Sequence, residues 1–243
     1  MSDSLVIIPT YNEKENIERM LHKVFSLKKE FHVLVVDDGS PDGTADIVKT
    51  LAQTYQGKLF IEERKGKQGL GTAYIHGFKW ALQRGYGYIY EMDADFSHNP
   101  DDLERLYHAC AVEGADVAIG SRYCKGGKVK NWPFMRWLMS YFASVYVRVV
   151  LWISIKDTTA GFKCYKRRVL ETIDFSQIKF VGYAFQIEMK YTAHKLGFKL
   201  VEVPIVFIDR QLGQSKMSMK IFKEAFFGVF KMRRKRITKL ETR

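Results

Sequence analysis

Short apolar runs alternate with amphipathic segments through the first half of the chain. The apolar runs cover residues 5–8, 33–36, 59–61, 88–92 and 117–119, and the amphipathic segments between them cover 15–25, 44–55, 72–83 and 103–112. The runs are apolar throughout, which is the pattern of parallel strands that are buried on both faces. This order predicts an α/β fold with an open, doubly wound, mostly parallel sheet that helices cover on both faces.

Length and composition fit one globular domain. The chain has 243 residues, of which 47% are hydrophobic and 27% are charged, and these values exclude a disordered chain. Its three cysteines have no CxxC spacing, which argues against a disulfide framework or a zinc cluster and favours a reducing compartment. The first residues lack a basic segment and a long apolar core, so we do not expect a secretion signal.

The net charge of +12 is unevenly distributed. Residues 1–121 carry 13 basic and 19 acidic side chains, whereas 122–168 carry 11 and 1, and 216–243 carry 10 and 2. Such basic segments suit nucleic acid, anionic lipid or a phosphorylated substrate. The acidic first half and the lack of an RNP or helix-turn-helix pattern argue against nucleic acid.

The strand and helix rhythm breaks after residue 123. Residues 134–155 are aromatic and β-branched, and the segment is long enough to cross a bilayer, but it contains Arg136 and Arg148. Each arginine costs about 2.5–3.5 kcal/mol at the bilayer centre, so we expect a helix at a membrane interface, with a core helix as the alternative. Residues 217–236 combine phenylalanines with Lys and Arg, which indicates a second interfacial helix or a solvated one. Further strands are predicted at 162–165 and 200–207, and a helix at 185–195.

Acidic residues directly follow two of the predicted strands. Asp93 and Asp95 alternate after one strand, so their carboxylates point to the same side and can share a hard cation that also binds a diphosphate. Ser97 completes the metal shell or caps the next helix. Asp37 follows a second strand and suits recognition of a base or ribose. Ligands bind at the carboxyl ends of strands in such sheets, although a capped turn also explains each segment.

Several common catalytic patterns are missing from the sequence. Gly69 and Gly71 precede a helix, but Tyr74 stands where the dinucleotide fingerprint needs a third glycine. No GxxxxGK[ST], GxSxG or HExxH pattern is present. A dinucleotide-dependent dehydrogenase, a Walker-type ATPase and the usual hydrolase mechanisms are therefore disfavoured.

Seven segments occur in a specific order. They are VIIPTYNE at 6–13, VVDDGSPDGT at 35–44, GLGTAY at 69–74, MDADFSH at 92–98, GSRY at 120–123, DR at 209–210 and GQSK at 213–216. With these segments the chain resembles the family-2 glycosyltransferases of the polyprenyl (dolichyl) phosphate mannose synthase group over nearly its whole length. The resemblance implies a GT-A type, Rossmann-like fold with C-terminal interfacial helices, and transfer of mannose from GDP-mannose to a polyprenyl phosphate with inversion.

The resemblance also implies a role for particular residues. Those expected around the donor nucleotide and its diphosphate are Pro9, Tyr11, Glu13, Val35, Asp37, Met92, Asp93, Ala94 and Asp95. Arg122, Arg210 and Lys216 would bind phosphates of donor and acceptor, and together with Asp95 they are the expected catalytic group. Asp93, Asp95 and Ser97 would hold Mg²⁺ or Mn²⁺, although some relatives carry Gln at the position of Ser97.

The resemblance divides the single domain at 1–243 into three parts. Residues 1–121 would form a nucleotide-binding half, 122–215 an acceptor half and 216–243 a basic amphipathic tail. The C-terminal transmembrane helices of some relatives are absent from this sequence. We therefore expect a cytoplasmic protein at the cytoplasmic face of a membrane, bound peripherally through 134–155 and the tail or through a small membrane-anchoring subunit.

Two other enzymatic functions stay open. A UDP-sugar could replace GDP-mannose as the donor for a polyprenyl phosphate, giving a glucosyl or aminosugar product. A soluble transferase acting on a hydroxyl acceptor would need a carboxylate base, for which Glu188 is the candidate.

Overall fold

The computed structural model describes residues 2–210, 219–235 and 237–240. In these residues the strands are β1 (Ser4–Thr10), β2 (His32–Asp37), β3 (Leu59–Glu63), β4 (Tyr88–Glu91), β5 (Val117–Ser121), β6 (Lys128–Lys130), β7 (Lys163–Lys166), β8 (Leu200–Pro204) and β9 (Val206–Ile208). The helices are α1 (Ile17–Phe25), α2 (Thr44–Thr54), α3 (Leu70–Gln83), α4 (Asp102–Ala111), α5 (Phe134–Leu151), α6 (Arg167–Thr172), α7 (Tyr183–Lys195) and α8 (Met219–Arg234), with a 3₁₀ turn at Phe175–Gln177.

Seven strands form one sheet in the order β3-β2-β1-β4-β7-β5-β8. All neighbouring pairs are parallel except the two that β7 makes with β4 and β5. The prediction of a mostly parallel, doubly wound sheet is therefore confirmed. Strand β1 lies between β2 and β4, so the chain leaves these three strands at the same edge, where the strand order reverses and a crevice opens.

Each face of the sheet is covered by its own set of helices. In β1, Leu5 and Ile7 belong to one core cluster, together with side chains of α3, α5, α6, α7 and α8. Val6 and Ile8 belong to the other cluster, with side chains of α1, α2 and α4. All four β1 residues are fully buried. This two-sided burial explains why the strand is apolar at successive positions instead of alternating.

Helix α3 packs unusually close to its neighbours. A Cβ atom at Gly77 would lie 2.7 Å from Cγ2 of Ile7 in β1, and one at Gly71 would lie 2.7 Å from the ring of Phe185 in α7. Only glycine leaves room for this approach. The close packing carries the first turns of α3 under the carboxyl end of β4.

The predicted strand at 200–207 is two strands in two sheets. Ile205 separates β8 in the main sheet from β9, which pairs in parallel with β6. The Ile205 amide donates to the carbonyl of Ser121, and its carbonyl accepts from the amide of Lys128. Ile205, which is buried, thus forms hydrogen bonds with both β5 and β6, and the chain passes from one sheet to the other at this residue. Strand β6 is not among the strands that the sequence predicts, because a run of only three residues with two lysines has no strand pattern.

Helices are present at both predicted positions, as α5 and α8, while their place at a membrane interface stays a prediction. They contact each other, and the ring of Tyr146 in α5 stacks on Phe226 in α8 at 4.6 Å. In α5, Phe142 is 57% exposed and Val149 is 66% exposed. Among the described residues, no helix combines the length and apolar character that crossing a membrane requires.

Candidate active site

The centre of the candidate site is a pair of carboxylates at the end of β4. Asp95 is buried, whereas 41% of the Asp93 side chain is exposed. The surrounding protein nevertheless displaces water from Asp93, and this desolvation together with the negative charge of Asp95 raises its pKa to about 7, although the cation of Arg210 opposes the rise. The carboxylate of Glu13 adds to the negative potential. Two carboxylates that disfavour each other's ionisation form a site that a bound cation would stabilise.

A strained turn fixes the orientation of Asp95. Its Oδ1 atom accepts a hydrogen bond of 3.0 Å from the amide of Ser97. Between them, Phe96 has a φ of 59°, which is in the left-handed region that side chains rarely adopt. Such strain persists only where the surroundings hold it. The turn thus holds one oxygen of the Asp95 carboxylate against the backbone that follows it.

Tyr74 of α3 contacts the first carboxylate. Its hydroxyl donates to Oδ1 of Asp93 at 3.4 Å, and its ring is fully buried. Burial and the charge of Asp93 hold the pKa of this hydroxyl well above its usual value, so it stays a donor. In the sequence, Tyr74 stands out as the residue that breaks a glycine fingerprint and as the last residue of the segment GLGTAY, with no sign of a contact with Asp93. The missed signal is a tyrosine placed on the buried side of the helix that follows the glycines.

Arg210 forms an ion pair with the second carboxylate. Its Nη2 atom lies 2.7 Å from Oδ2 of Asp95. The preceding residue, Asp209, accepts a 3.1 Å hydrogen bond from the Arg210 amide and pairs with Arg136 of α5 at 2.8 Å. Alternating charges therefore run from α5 to the carboxylate pair. The structure brings Arg210 to the site as expected, while its contact with a phosphate stays a prediction.

Arg122 is held by the protein on several sides. Its Nε and Nη2 atoms donate to the two oxygens of Asp157 at 2.7 and 2.6 Å, and Nη2 also donates to Thr159. Asp157 is fully buried, and the Arg122 cation holds the pKa of this carboxyl below its usual value although burial alone would raise it. The guanidinium also lies 5.4 Å from the ring centre of Phe207. Arg122 is therefore oriented before any substrate binds, and its phosphate contact stays a prediction.

Asp37 joins the ends of β1 and β2. Its carboxylate is fully buried and accepts hydrogen bonds from the Thr10 hydroxyl at 2.7 Å, the Ser40 hydroxyl at 2.6 Å and the Ser40 amide at 2.8 Å. These bonds shape the two loops that would surround a nucleotide. The neighbouring Asp38 forms a buried ion pair with Arg64, which follows β3.

The other residues that are predicted to contact the sugar-nucleotide donor differ in their position and in their exposure. Val35 and Met92 are fully buried in the core, and Ala94 is 3% exposed. Pro9 and Tyr11 at the end of β1 are half-buried, and the Lys67 ammonium lies 5.2 Å from the ring centre of Tyr11. Pro9, Tyr11, Met92 and Ala94 lie at or just after the ends of their strands, whereas Val35 lies inside β2, and the contacts of all five with a donor stay predictions. Lys216 lies outside the described residues.

The sequence matches the family model "Glycosyl transferase family 2" over residues 5–174. The chain belongs to this family. A curated relative from Mycolicibacterium smegmatis, named polyprenol monophosphomannose synthase, is 49% identical over 226 residues, which is 93% of this chain and 85% of the relative. A second, named undecaprenyl-phosphate mannosyltransferase and from Micrococcus luteus, is 46% identical over 225 residues, which is 93% of this chain and 91% of the relative.

The fold has also been seen in solved structures. The mannosyltransferase PcManGT from Pyrobaculum calidifontis, solved in complex with GDP-Man and Mn²⁺, superposes with a TM-score of 0.57 at 16% identity. The superposition covers 95% of this chain and 69% of that one. The predicted GT-A, Rossmann-like fold is thus confirmed for this family-2 glycosyltransferase.

The side chains of this family-2 site supply some of the oxygen ligands that a hard divalent cation needs. In the part of the chain that the structure describes, no three His, Cys, Asp or Glu side chains gather into a metal cluster. Asp93 and Asp95 offer carboxylate oxygens, which Mg²⁺ and Mn²⁺ prefer, and these ions commonly complete their shell with substrate phosphates and water. The residues present therefore suit an ion that binds together with a diphosphate. Ser97 as a third ligand stays a prediction.

Glu188 is committed to structural bonds in this glycosyltransferase. It is 2% exposed, and its Oε2 atom accepts from the amides of Lys179 at 2.9 Å and Phe180 at 3.1 Å. Its Oε1 atom pairs with Lys235, which follows α8, at 2.8 Å. With both oxygens engaged, Glu188 is poorly suited to accept a proton from an incoming hydroxyl.

Proposed function

We propose that this chain transfers mannose from GDP-mannose to a polyprenyl phosphate, with inversion at the anomeric carbon and with Mg²⁺ or Mn²⁺ as cofactor. The observation that carries the proposal is identity of 49% and 46% to two relatives named for this type of reaction, each over 93% of the chain. The carboxylate pair with Arg210 beside it is the geometry that such a reaction needs, because both substrates carry phosphates.

Asp93 and Asp95 would hold the cation against the donor diphosphate, and a structural neighbour has been solved in complex with GDP-Man and Mn²⁺. The bound ion would supply charge stabilisation for the departing nucleoside diphosphate. The Arg210 guanidinium neutralises Asp95, and an ion that binds Asp95 would compete with this guanidinium. A guanidinium displaced from Asp95 would remain next to the diphosphate, where it can donate hydrogen bonds to phosphate oxygens.

The acceptor supplies its own nucleophile. A polyprenyl phosphate is an oxyanion at neutral pH, so attack on the anomeric carbon requires positioning rather than a protein base. The structural bonds of Glu188 agree with this mechanism, whereas a hydroxyl acceptor would require a free base. The oriented guanidinium of Arg122 is a second cation for the phosphates, and attack opposite the leaving group gives inversion.

The first prediction concerns the donor. We expect label to reach polyprenyl phosphate from GDP-mannose and not from UDP-glucose or UDP-N-acetylglucosamine, each with Mg²⁺ and then with Mn²⁺. The measurement is radiolabel in the lipid extract, with polyprenol lacking the phosphate as the control acceptor. Labelling from a UDP-sugar alone would instead establish the alternative donor class, and labelling of the free polyprenol would show that the acceptor is a hydroxyl.

The second prediction concerns Asp95. Asp95→Asn should lower kcat by about a hundredfold or more, because loss of the carboxylate charge removes several kcal/mol of stabilisation from the leaving diphosphate. The rate of mannosyl-lipid formation is the measurement, and circular dichroism reports the fold. Asp46→Asn is the matched control, since the Asp46 side chain is 84% exposed on α2. A fully active Asp95→Asn enzyme would contradict the proposed cation site.

The acceptor lipid calls for a membrane surface, and α5 offers one. Five large apolar side chains, spaced three, four or seven residues apart, are between 47% and 78% exposed; they are Met135, Met139, Phe142, Val149 and Trp152, the last directly after the helix. On α8, Phe226 and Phe230 extend this apolar surface and are 50% and 46% exposed. An apolar surface of this kind next to basic residues suits an anionic bilayer.

Basic residues border this apolar surface. The Arg233 guanidinium lies 5.2 Å from the ring centre of Trp152, and Lys231 and Arg234 are exposed on the same helix. We therefore place the protein at the cytoplasmic face of a membrane, bound peripherally. Cys110, Cys124 and Cys164 are free thiols, in keeping with a reducing compartment. A small membrane-anchoring subunit covering the same surface is the alternative.

The third prediction concerns this surface. Phe142→Ser combined with Val149→Ser should weaken binding to vesicles of phosphatidylcholine and phosphatidylglycerol by about tenfold or more, because each buried apolar side chain contributes about 1.5–3 kcal/mol. Co-sedimentation measures the binding, and added salt should weaken it further. Val112→Ser is the control, because Val112 is 68% exposed but follows α4 on the other face of the sheet. If the double variant and Val112→Ser lost vesicle binding equally, or if the wild type did not bind vesicles, a membrane-anchoring subunit would be the better explanation of this surface.

A further inference from the structure

His98 is buried beside the carboxylate pair. It follows the strained turn at Phe96 and is 4% exposed. Its ring stacks on Phe162 with centres 5.0 Å apart and an angle of 14°, and it meets the edge of Phe207 at 5.6 Å. The ring is thus enclosed by the residue before β7 on one side and by β9 on the other. Neither the family features nor the mechanism above assigns it a role.

The Nδ1 atom of His98 accepts a hydrogen bond from the backbone amide of Asp93 at 3.3 Å. A nitrogen that accepts from an amide carries no hydrogen, so this contact assigns the hydrogen of the neutral ring to Nε2. The bond joins the first and last residues of the segment 93–98 and closes it into a loop.

The same ring also connects this loop with the segment that carries Arg210. Phe207, which packs against His98, lies three residues before Arg210. The amide of Ile208, the residue after Phe207, donates to the carbonyl of Ser97 at 3.4 Å. His98 therefore contacts both segments whose side chains meet in the pair between Asp95 and Arg210.

We propose that His98 is a positioning residue for the cation site, which acts through its Nδ1 acceptor by holding the Asp93 backbone in place. The inference rests on the proposed function for the identity of the ion and the diphosphate, but the hydrogen bond and the packing are properties of this chain alone. Without the acceptor, the amide of Asp93 would lose its only partner among the described residues, and the loop would relax to find another. The spacing of the two carboxylates would then vary.

Two substitutions separate the acceptor from the packing. In His98→Asn the side-chain oxygen can take the place of Nδ1, whereas in His98→Gln it lies nearer the place of Nε2, although Gln is closer to His in volume. If the acceptor matters, Asn is the better replacement. If only filled space matters, Gln is the better one.

The experiment measures Mn²⁺ binding in the presence of GDP by electron paramagnetic resonance. We expect the Asn variant to bind within about threefold of wild type and the Gln variant to bind about tenfold or more weakly, in the range found when groups that orient metal ligands are lost. Circular dichroism and thermal unfolding report the fold of each variant. Equal binding by the two variants, or tighter binding by the Gln variant, would overturn the inference.

A measurement on the wild-type protein keeps the test independent of how the variants fold. In protein labelled with ¹⁵N-histidine, long-range ¹H–¹⁵N correlation identifies which ring nitrogen of His98 carries the hydrogen. We expect it on Nε2 at pH 7, and a hydrogen on Nδ1 would overturn the inference. Failure of the wild type itself to bind Mn²⁺ with GDP would contradict the proposed function as well, so the two failures can be told apart.

Discussion

Carboxylates concentrated at one edge of a parallel sheet are the constraint around which the rest of this site is arranged. Parallel strands deliver the residues that follow them to the same edge, and here those residues include Asp37, Asp93 and Asp95. Burial and the neighbouring charge of Asp95 together raise the pKa of Asp93 to about 7. A sheet edge of this composition requires cations nearby.

The protein meets this requirement differently for each carboxylate. Asp37 receives three hydrogen bonds from hydroxyl and amide donors, and Asp38 is neutralised by Arg64. Asp95 instead faces Arg210, which belongs to a segment outside the main sheet. The first two arrangements are parts of the fold, whereas the last joins the buried Asp95 to a partly exposed Arg210, and under the proposed function a metal ion and a diphosphate would rearrange it. This difference separates the carboxylates that shape the pocket from those that act in it.

The Arg210 segment also connects the site with the apolar surface. Asp209 pairs with Arg136 of α5, and α5 presents exposed residues such as Phe142 and Val149. A helix that lies on a bilayer would therefore be held by an ion pair to the residue next to Arg210. Because the acceptor phosphate is attached to a lipid, the distance from the bilayer to the carboxylate pair limits what the enzyme can reach.

The sequence predicted those parts of the molecule that repeat a simple pattern. Fully apolar strands such as β1 are recognisable because both faces are buried, and Asp93 and Asp95 stand out because they directly follow one. The division of 200–207 into β8 and β9 could not be predicted, because it depends on hydrogen bonds between Ile205 and distant residues. From the sequence, Tyr74 is predictable only as a buried side chain of α3, because its contact with Asp93 depends on tertiary packing, and the bond from the Asp93 amide to His98 depends on a turn that aromatic side chains from distant segments enclose.

We propose that a divalent cation and the donor diphosphate replace the ion pair between Arg210 and Asp95, and a structure of the protein bound to GDP and Mn²⁺ tests this most directly. We expect an ion that is coordinated by Asp95 and by the diphosphate, with Arg210 moved from Asp95 Oδ2 to a phosphate oxygen. An ion bound elsewhere, with the 2.7 Å pair between Arg210 and Asp95 intact, would contradict the account.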